Sequence, residues 1–284
     1  MAVLSTAKKI MLARWGSRGV TTLRTLMGLG SELKAMRSGF LWDLDLTEGI
    51  DFSIWLLGGF EPNTLKQYEQ LVKLGSTVLD IGANIGAHTL PLARLVGPAG
   101  RVLAFEPTRW AYDKLRRNLA LNPALTGRVD CFQTLLVAEQ GESLPSEIYS
   151  SWPLSDQQEG LHDQHKGRLM TTAGASVSTL DNALEGLRVE NIDFIKLDVD
   201  GNEYAVICGA LHTLKTHRPT LLMELAPYVF DKRPGEFDAL IRLLLEIGYM
   251  PQHPVSRRIL PIEPDQLRRT IPDGGSINAL FVPI

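Results

Sequence analysis

From residue 77 onwards the chain alternates short apolar runs with helical stretches, and this alternation limits the fold more than any other feature. The runs are TVLDIG (77–82), RVLAFEP (101–107), VDCFQTLLVAE (129–139), IDFIKLDVDG (192–201), PTLLMELA (219–226) and SINALFVPI (276–284). Between them lie IGAHTLPLARLV, TRWAYDKLRRNLALN, NEYAVICGALHTLK and PGEFDALIRLLLEIGY, whose apolar residues recur at helical spacing. Runs of this kind are strands buried on both faces, and their alternation with helices predicts a parallel sheet covered on each side. The 284 residues suffice for one large α/β domain with an added segment.

Before residue 77 the pattern is weaker. Residues 1 to about 38 are expected to be helical, and 40–60 to form short strands or turns. Residues 61–74 carry Leu65, Tyr68, Leu71 and Val72 at helical spacing, with Gly75 as the stop. We therefore divide the chain into an N-terminal helical or cap segment, 1–60, and a main domain, 61–284. Residues from about 140 to 176 are polar and lack periodicity, and a stretch of that length inside a compact domain is more often functional than idle. We read it as a lid.

Composition excludes several classes. The net charge of −3 gives no basic field to hold nucleic acid. No apolar run reaches eighteen residues, so stable membrane insertion is not expected. Two cysteines, Cys131 and Cys208, cannot build a disulfide framework and stand in no metal-binding spacing, which suits a reducing, cytoplasmic setting. An assembly of identical chains is compatible with all of this.

The strongest chemical signal is the loop Asp80-Ile81-Gly82-Ala83-Asn84-Ile85-Gly86, directly after a strand and before a helix. Glycines there allow a sharp turn and close approach of a ligand, outside the carboxyl ends of the strands. The spacing is GxxxG, whereas a dinucleotide pyrophosphate calls for GxGxxG, so a nicotinamide oxidoreductase is disfavoured. Asp80 would repel a pyrophosphate but could help a ligand with an amino group. Glu106, followed by Pro107, ends the second strand and is placed to accept hydrogen bonds from both hydroxyls of a ribose.

Asp198, Asp200, Glu203 and Glu224 gather acids at the same rim. They could hold a divalent cation or supply a general base. For Asp200 and Glu203 a turn and a first-turn helix acid are an equal alternative. His88 opens the helix after the glycine loop, as a cofactor contact or a plain helix-start residue. His162 and His165 fall in the suspected lid, and Trp152 is either a ligand platform or a core plug.

The segments STVLDIGANIGAHTLPLA, GRVLAFEPTRWAYDKLRRNLALN, VSTLDNAL and IDFIKLDVDGNEYAVICGAL together resemble the FkbM family of S-adenosylmethionine-dependent methyltransferases over about residues 40–284. LDVDGNE departs from the family's usual LDVEGxE by Asp200 in place of glutamate. The resemblance implies a Rossmann-like class I methyltransferase fold, with seven mostly parallel strands in the order 3-2-1-4-5-7-6, strand 7 antiparallel, and helices on both faces. It implies O-methylation of a sugar, glycan or secondary metabolite with S-adenosyl-L-methionine as cofactor. Asp80, Gly82, Ala83, Asn84 and Gly86 would line its methionine part, Glu106 and Pro107 the ribose, and residues 135–137, Leu136 among them, the adenine. Asp198 is the first choice of base, with His165 and Glu224 in reserve. A divalent metal on Asp198 and Glu224 is the less favoured arrangement, and no metal ligand is assigned. A non-catalytic nucleoside-cofactor-binding protein, or a small-molecule N-methyltransferase, remain as alternatives.

Overall fold

The structure, a computed structural model, describes residues 6–154, 161 and 167–284. Seven strands form the central sheet: β1 (Thr77–Ile81), β2 (Arg101–Phe105), β3 (Val129–Phe132), β4 (Phe194–Leu197), β5 (Thr220–Leu225), β6 (Tyr249–Gln252) and β7 (Ile277–Pro283). Their order is β3-β2-β1-β4-β5-β7-β6. All neighbouring pairs are parallel except those of β7, which runs antiparallel to β5 and β6. This is the class I methyltransferase order that the resemblance implies.

Side chains alternate along each strand between two apolar layers. Leu79, Ile81, Leu103, Phe105, Ile195 and Leu197 face one, where they meet Leu240, Ile241 and Leu244 of the helix Glu236–Glu246. Val78, Val102, Ala104 and Phe194 face the other, against Leu90, Ala93 and Leu115. Both faces being covered, the strands read as continuous apolar runs rather than alternating ones. Strand order reverses between β1 and β4, and this opens the crevice at their carboxyl ends.

The N-terminal region follows expectation in part: the helix Thr6–Leu26 and the strand Phe40–Asp45 fall where a helix and short strands are expected, whereas Glu32–Arg37, expected to be helical, is a strand. The first helix ends at Leu26, and Glu32–Arg37 pairs with Phe40–Asp45 as an antiparallel hairpin. Phe40, Trp42 and Leu44 point from that hairpin into the second apolar layer, which explains the alternating burial of its second strand. Gly49–Leu57, expected as strand or turn, is a helix. Its apolar residues occupy more than one face, so no 3.6-residue rhythm shows in the sequence. Its end is marked by Gly58, which takes a left-handed φ of 82° and donates to the Ile54 carbonyl.

The polar region 140–176 is not structureless where it is described. Glu147–Ser150 pairs antiparallel with Arg168–Thr171, and Thr134–Leu136 pairs in parallel with Ser176–Ser178. These strands are short, and burial does not follow apolar character along them, Tyr149 and Leu169 being exposed and Ser150 buried, so apolar periodicity cannot announce them. They are tied down from outside. The Arg168 guanidinium reaches Glu48 at 3.0 Å, Leu154 donates its amide to the Thr47 carbonyl, and Trp152 packs so closely over Gly49 that a Cβ there would collide with the indole.

Candidate active site

The loop after β1 reaches its shape through three left-handed residues, Gly82 (φ 84°), Asn84 (φ 47°) and Gly86 (φ 92°). A Cβ on Gly82 would run into the carbonyl oxygen of Asp198 at the end of β4, so only glycine lets these strand ends converge. Asn84 tolerates the conformation because its own Oδ1 accepts from the next amide, that of Ile85, at 2.9 Å. The Gly82 and Ala83 amides donate to the Phe105 carbonyl at 3.0 Å, which fixes the loop to β2.

Two cavities of about 500 Å³ each meet at this loop, a size suited to small-molecule sites. The first is lined by Gly82, Asn84, Glu106, Pro107, Leu136 and Asn202 among others. Glu106 is 3% exposed and accepts from the Asn84 amide at 3.0 Å and the Thr108 amide at 2.9 Å. Burial raises its pKa against the pull of those hydrogen bonds. A carboxylate has about four acceptor positions, and with the Thr108 hydroxyl at 2.5 Å as a third donor one position of Glu106 is left to serve a ligand. Leu135, Leu136 and Val137 form the far wall, steadied by Asn202, whose Nδ2 donates to the Leu136 carbonyl.

The second cavity shares Gly82, Asn84, Asp198 and Asp200 with the first. Its floor holds Lys196, Glu61, His88 and Glu224, and its sides hold Ile50, Phe52, Leu56, Leu57, Phe60 and Trp152. Lys196 is 2% exposed and its Nζ lies 2.7 Å from Asp198 Oδ2. Burial opposes its charge, yet Asp198, Asp80 and Glu61 together hold its pKa above the usual lysine value. Burial alone would push Asp198 up, but Lys196 holds its carboxyl below the ordinary value. Glu224 is raised well above its ordinary value by burial and by the neighbouring charges of Asp198 and Glu61. Asp200 is pushed up to about 8 by the surrounding protein and by Asp198 and Glu203, although its side chain faces the open cavity. Asp198 is thus the carboxylate held in its ionised form, while Glu224 holds its proton more tightly than a free carboxyl. Carboxylate oxygens of Asp198, Asp200 and Glu224 lie within 4.8 Å of one another, a spacing that a divalent cation would accept. The ammonium of Lys196 already supplies Asp198 with a positive partner.

Not every predicted site residue reaches a cavity. Asp80 lines neither: it is fully buried, with Oδ2 accepting from Thr89 Oγ1 at 2.6 Å. It acts at a distance, as part of the negative field around Lys196. Gly86 also lines neither, because a Cβ on it would meet Leu115 and Leu90; its role is packing beneath the loop. Ala83 lines the second cavity rather than the first. Glu203 turns inward, where its Oε1 accepts from the Val199 and Gly201 amides at 3.2 Å, so it shapes the turn after β4. His165 and His162 lie outside the described residues. His88 is buried, its Nδ1 hydrogen-bonded to the Tyr68 hydroxyl at 2.8 Å, and burial keeps its pKa well below the usual histidine value. Trp152 serves as cavity wall, 5.7 Å from the Phe60 ring.

The sequence reading passed over Lys196 and Glu61. Lys196 had a signal. A lysine inside the apolar run FIKLDV must be buried on one face, and a buried lysine requires a carboxylate partner. Glu61 had none, since its approach to the site depends on a left-handed turn (φ 48°) at the start of the helix Pro62–Leu71.

A family model described as the methyltransferase FkbM domain matches residues 80–251. The chain is 33% identical over 156 residues to methyltransferase sdnD of Sordaria araneosa, covering 46% of this chain and 59% of that protein. It is 27% identical over 139 residues to the hexuronic acid methyltransferase AglP of Haloferax volcanii, covering 48% and 51%. The chain therefore spans little more than half the length of these relatives. A solved methyltransferase FkbM from Methylobacillus flagellatus aligns at 18% identity with a TM-score of 0.40, covering 77% of this chain and 50% of that one. Among the described residues, no helix is long and apolar enough to cross a membrane.

Proposed function

Because the chain belongs to the FkbM methyltransferase family, we propose that it transfers a methyl group from S-adenosylmethionine to a hydroxyl of a sugar, glycan or secondary metabolite. The observation that carries this reading is the shared wall of the two cavities. Asp198 borders both, and buried Lys196 keeps it ionised.

The cofactor, when bound, supplies a methyl group on a sulfonium, which is already a good leaving group. The residues lining the first cavity fit it: Glu106 retains one acceptor position for a ribose hydroxyl, and residues 135–137 offer apolar surface to a nucleobase. The protein's share of the chemistry is alignment and exclusion of water. Asp198 accepts the proton of the incoming hydroxyl at a carboxylate oxygen. Glu224, whose raised pKa favours its protonated form, donates to Asp198 and so helps to hold that carboxylate in place. In this reading residues 1–60 form a cap over the acceptor side and the region 140–176 a lid.

The test uses methyl-tritiated S-adenosylmethionine and a cell extract as the acceptor pool. Wild-type protein transfers label into the extract, while Asp198→Asn does not, and S-adenosylhomocysteine raises the melting temperature of both. Stabilisation by NAD in its place, or wild-type transfer by Asp198→Asn, would overturn the assignment.

A further inference from the structure

The second cavity has an unequal lining. Its ionisable side chains Glu61, Lys196, Asp198 and Glu224 gather on the floor, and its sides are mainly the apolar side chains of Ile50, Phe52, Leu56, Leu57, Phe60 and Trp152, with Ser53, Ser151, Tyr228 and Ser276 among them. The helix Thr6–Leu26 closes it with Leu12, Ala13 and Gly16, and Gly16 permits the close crossing because the Phe52 ring lies where a side chain would stand. Among the described residues that line this cavity, Lys196 is the one lysine or arginine, and Asp198 already holds its ammonium. Against it stand Glu61, Asp198, Asp200 and Glu224.

A ligand carboxylate brought to this floor would find no free cation among the described residues. It would lie against the carboxylate of Asp198, which Lys196 keeps ionised, and an unpaired buried anion is strongly disfavoured. A hydroxyl meets the opposite situation. His88 is 5% exposed, and its Nε2 has no hydrogen-bond partner among the described residues. The His88 ring lines the cavity, with Nε2 4.0 Å from Glu61 Oε2 and beyond hydrogen-bond reach of it. A neutral hydroxyl between His88 and Asp198 would satisfy both.

From this lining we propose that the acceptor is an uncharged alcohol with an apolar body, its hydroxyl on the carboxylate floor and its body along the Ile50–Phe60 wall, and that sugar acids are excluded. The inference rests on the methyl-transfer reading for the identity of the cavity as the acceptor site. Its chemistry rests on the lining alone. The apolar wall supplies affinity in proportion to the area covered, and the floor selects the neutral head.

Equilibrium dialysis with geraniol and with sodium glucuronate, each in the presence of saturating S-adenosylhomocysteine, tests the proposal. Geraniol binds saturably and glucuronate does not. Leu56→Glu, which adds charge at a position 57% exposed and so leaves the core intact, weakens geraniol binding by roughly ten-fold or more. The same change at Val255, exposed and absent from the cavity lining, leaves it unaltered. Absence of geraniol binding, glucuronate binding of equal or greater strength, or indifference to Leu56→Glu overturns the inference. Calorimetric titration with S-adenosylhomocysteine alone separates the two readings: its failure removes the cofactor assignment, while the geraniol and glucuronate comparison, repeated without it, still judges the second cavity.

Discussion

The buried pair Lys196–Asp198 can be taken apart one residue at a time. At 2.7 Å and an effective dielectric of about 20, the attraction between the two charges is about 6 kcal/mol. Desolvation of both ions offsets much of that, so the pair as a whole adds little beyond an apolar replacement. Removing one member is another matter, because the survivor keeps its desolvation cost. Lys196→Met leaves Asp198 facing Glu224 and Asp200 with no cation, and should cost about 3–5 kcal/mol against a total stability of roughly 5–15 kcal/mol. Asp198→Asn should cost less, because Asp80 and Glu61 still attract the ammonium. Joined in one chain, the two substitutions should cost well below their sum, with a coupling of at least about 2 kcal/mol. Urea unfolding at pH 7, followed by tryptophan fluorescence with unchanged m-values, measures all four corners of the cycle. The pH is well chosen: Asp198 has a depressed folded pKa, so its contribution is fully present above the ordinary carboxylate range and fades only as pH falls through the folded value. Additivity within about 0.5 kcal/mol would refute the reasoning.

Three further outcomes are expected. Gly82→Ala forces a Cβ into the Asp198 carbonyl at a left-handed φ and should lower stability by more than about 3 kcal/mol; a loss under about 1 kcal/mol by denaturant unfolding would show that the strand ends separate easily. Glu106→Gln removes the charged acceptor of the first cavity and should weaken S-adenosylhomocysteine by roughly 10–100-fold in calorimetry, the equivalent of one charged hydrogen bond or more, so unchanged affinity would remove Glu106 from the site. Stability should fall as pH rises from about 6.5 to 8.5: Asp200 is raised to about 8 and Glu48 and Glu203 to about 7, so the folded state binds more protons than the unfolded one in that window, and neutral His88 opposes this only at lower pH. Denaturation midpoints that stay flat or climb across the window would contradict the assignment of protonated carboxylates.

The sheet was legible because its strands are buried on both faces, and a strand such as TVLDI announces itself by composition without any rhythm. The loop was legible because turns that need left-handed residues draw on glycine and asparagine, and Gly82, Asn84 and Gly86 are those residues. What escaped was whatever depended on distant partners. The helix Gly49–Leu57 is held by burial of Ile50, Phe52 and Ile54 together with Asp51, and Asp51 can be buried only because Lys114, more than sixty positions away, reaches it. The strand pair at 147–150 and 168–171 owes its position to Glu48 and Gly49, which nothing local to it reveals. Asp80 and Gly86 belong to the loop in sequence but not to the cavity surface, since alternation along β1 and the turn that follows send them inward.

The way the two cavities divide the chain has a further consequence. Apart from Glu61, the carboxylate floor is built on strands that begin at Thr77, and apart from Trp152 the apolar wall comes from positions 12 to 62. The two meet across a surface of side chains and, those two residues aside, are not interleaved along the polypeptide. On the proposed reading, chemistry and selectivity are therefore written largely in separate stretches of the chain. The front stretch can be rewritten, or exchanged for another of like shape, with the engine behind it left as it stands, and a scaffold so arranged can acquire new acceptors without relearning how to hold the donor.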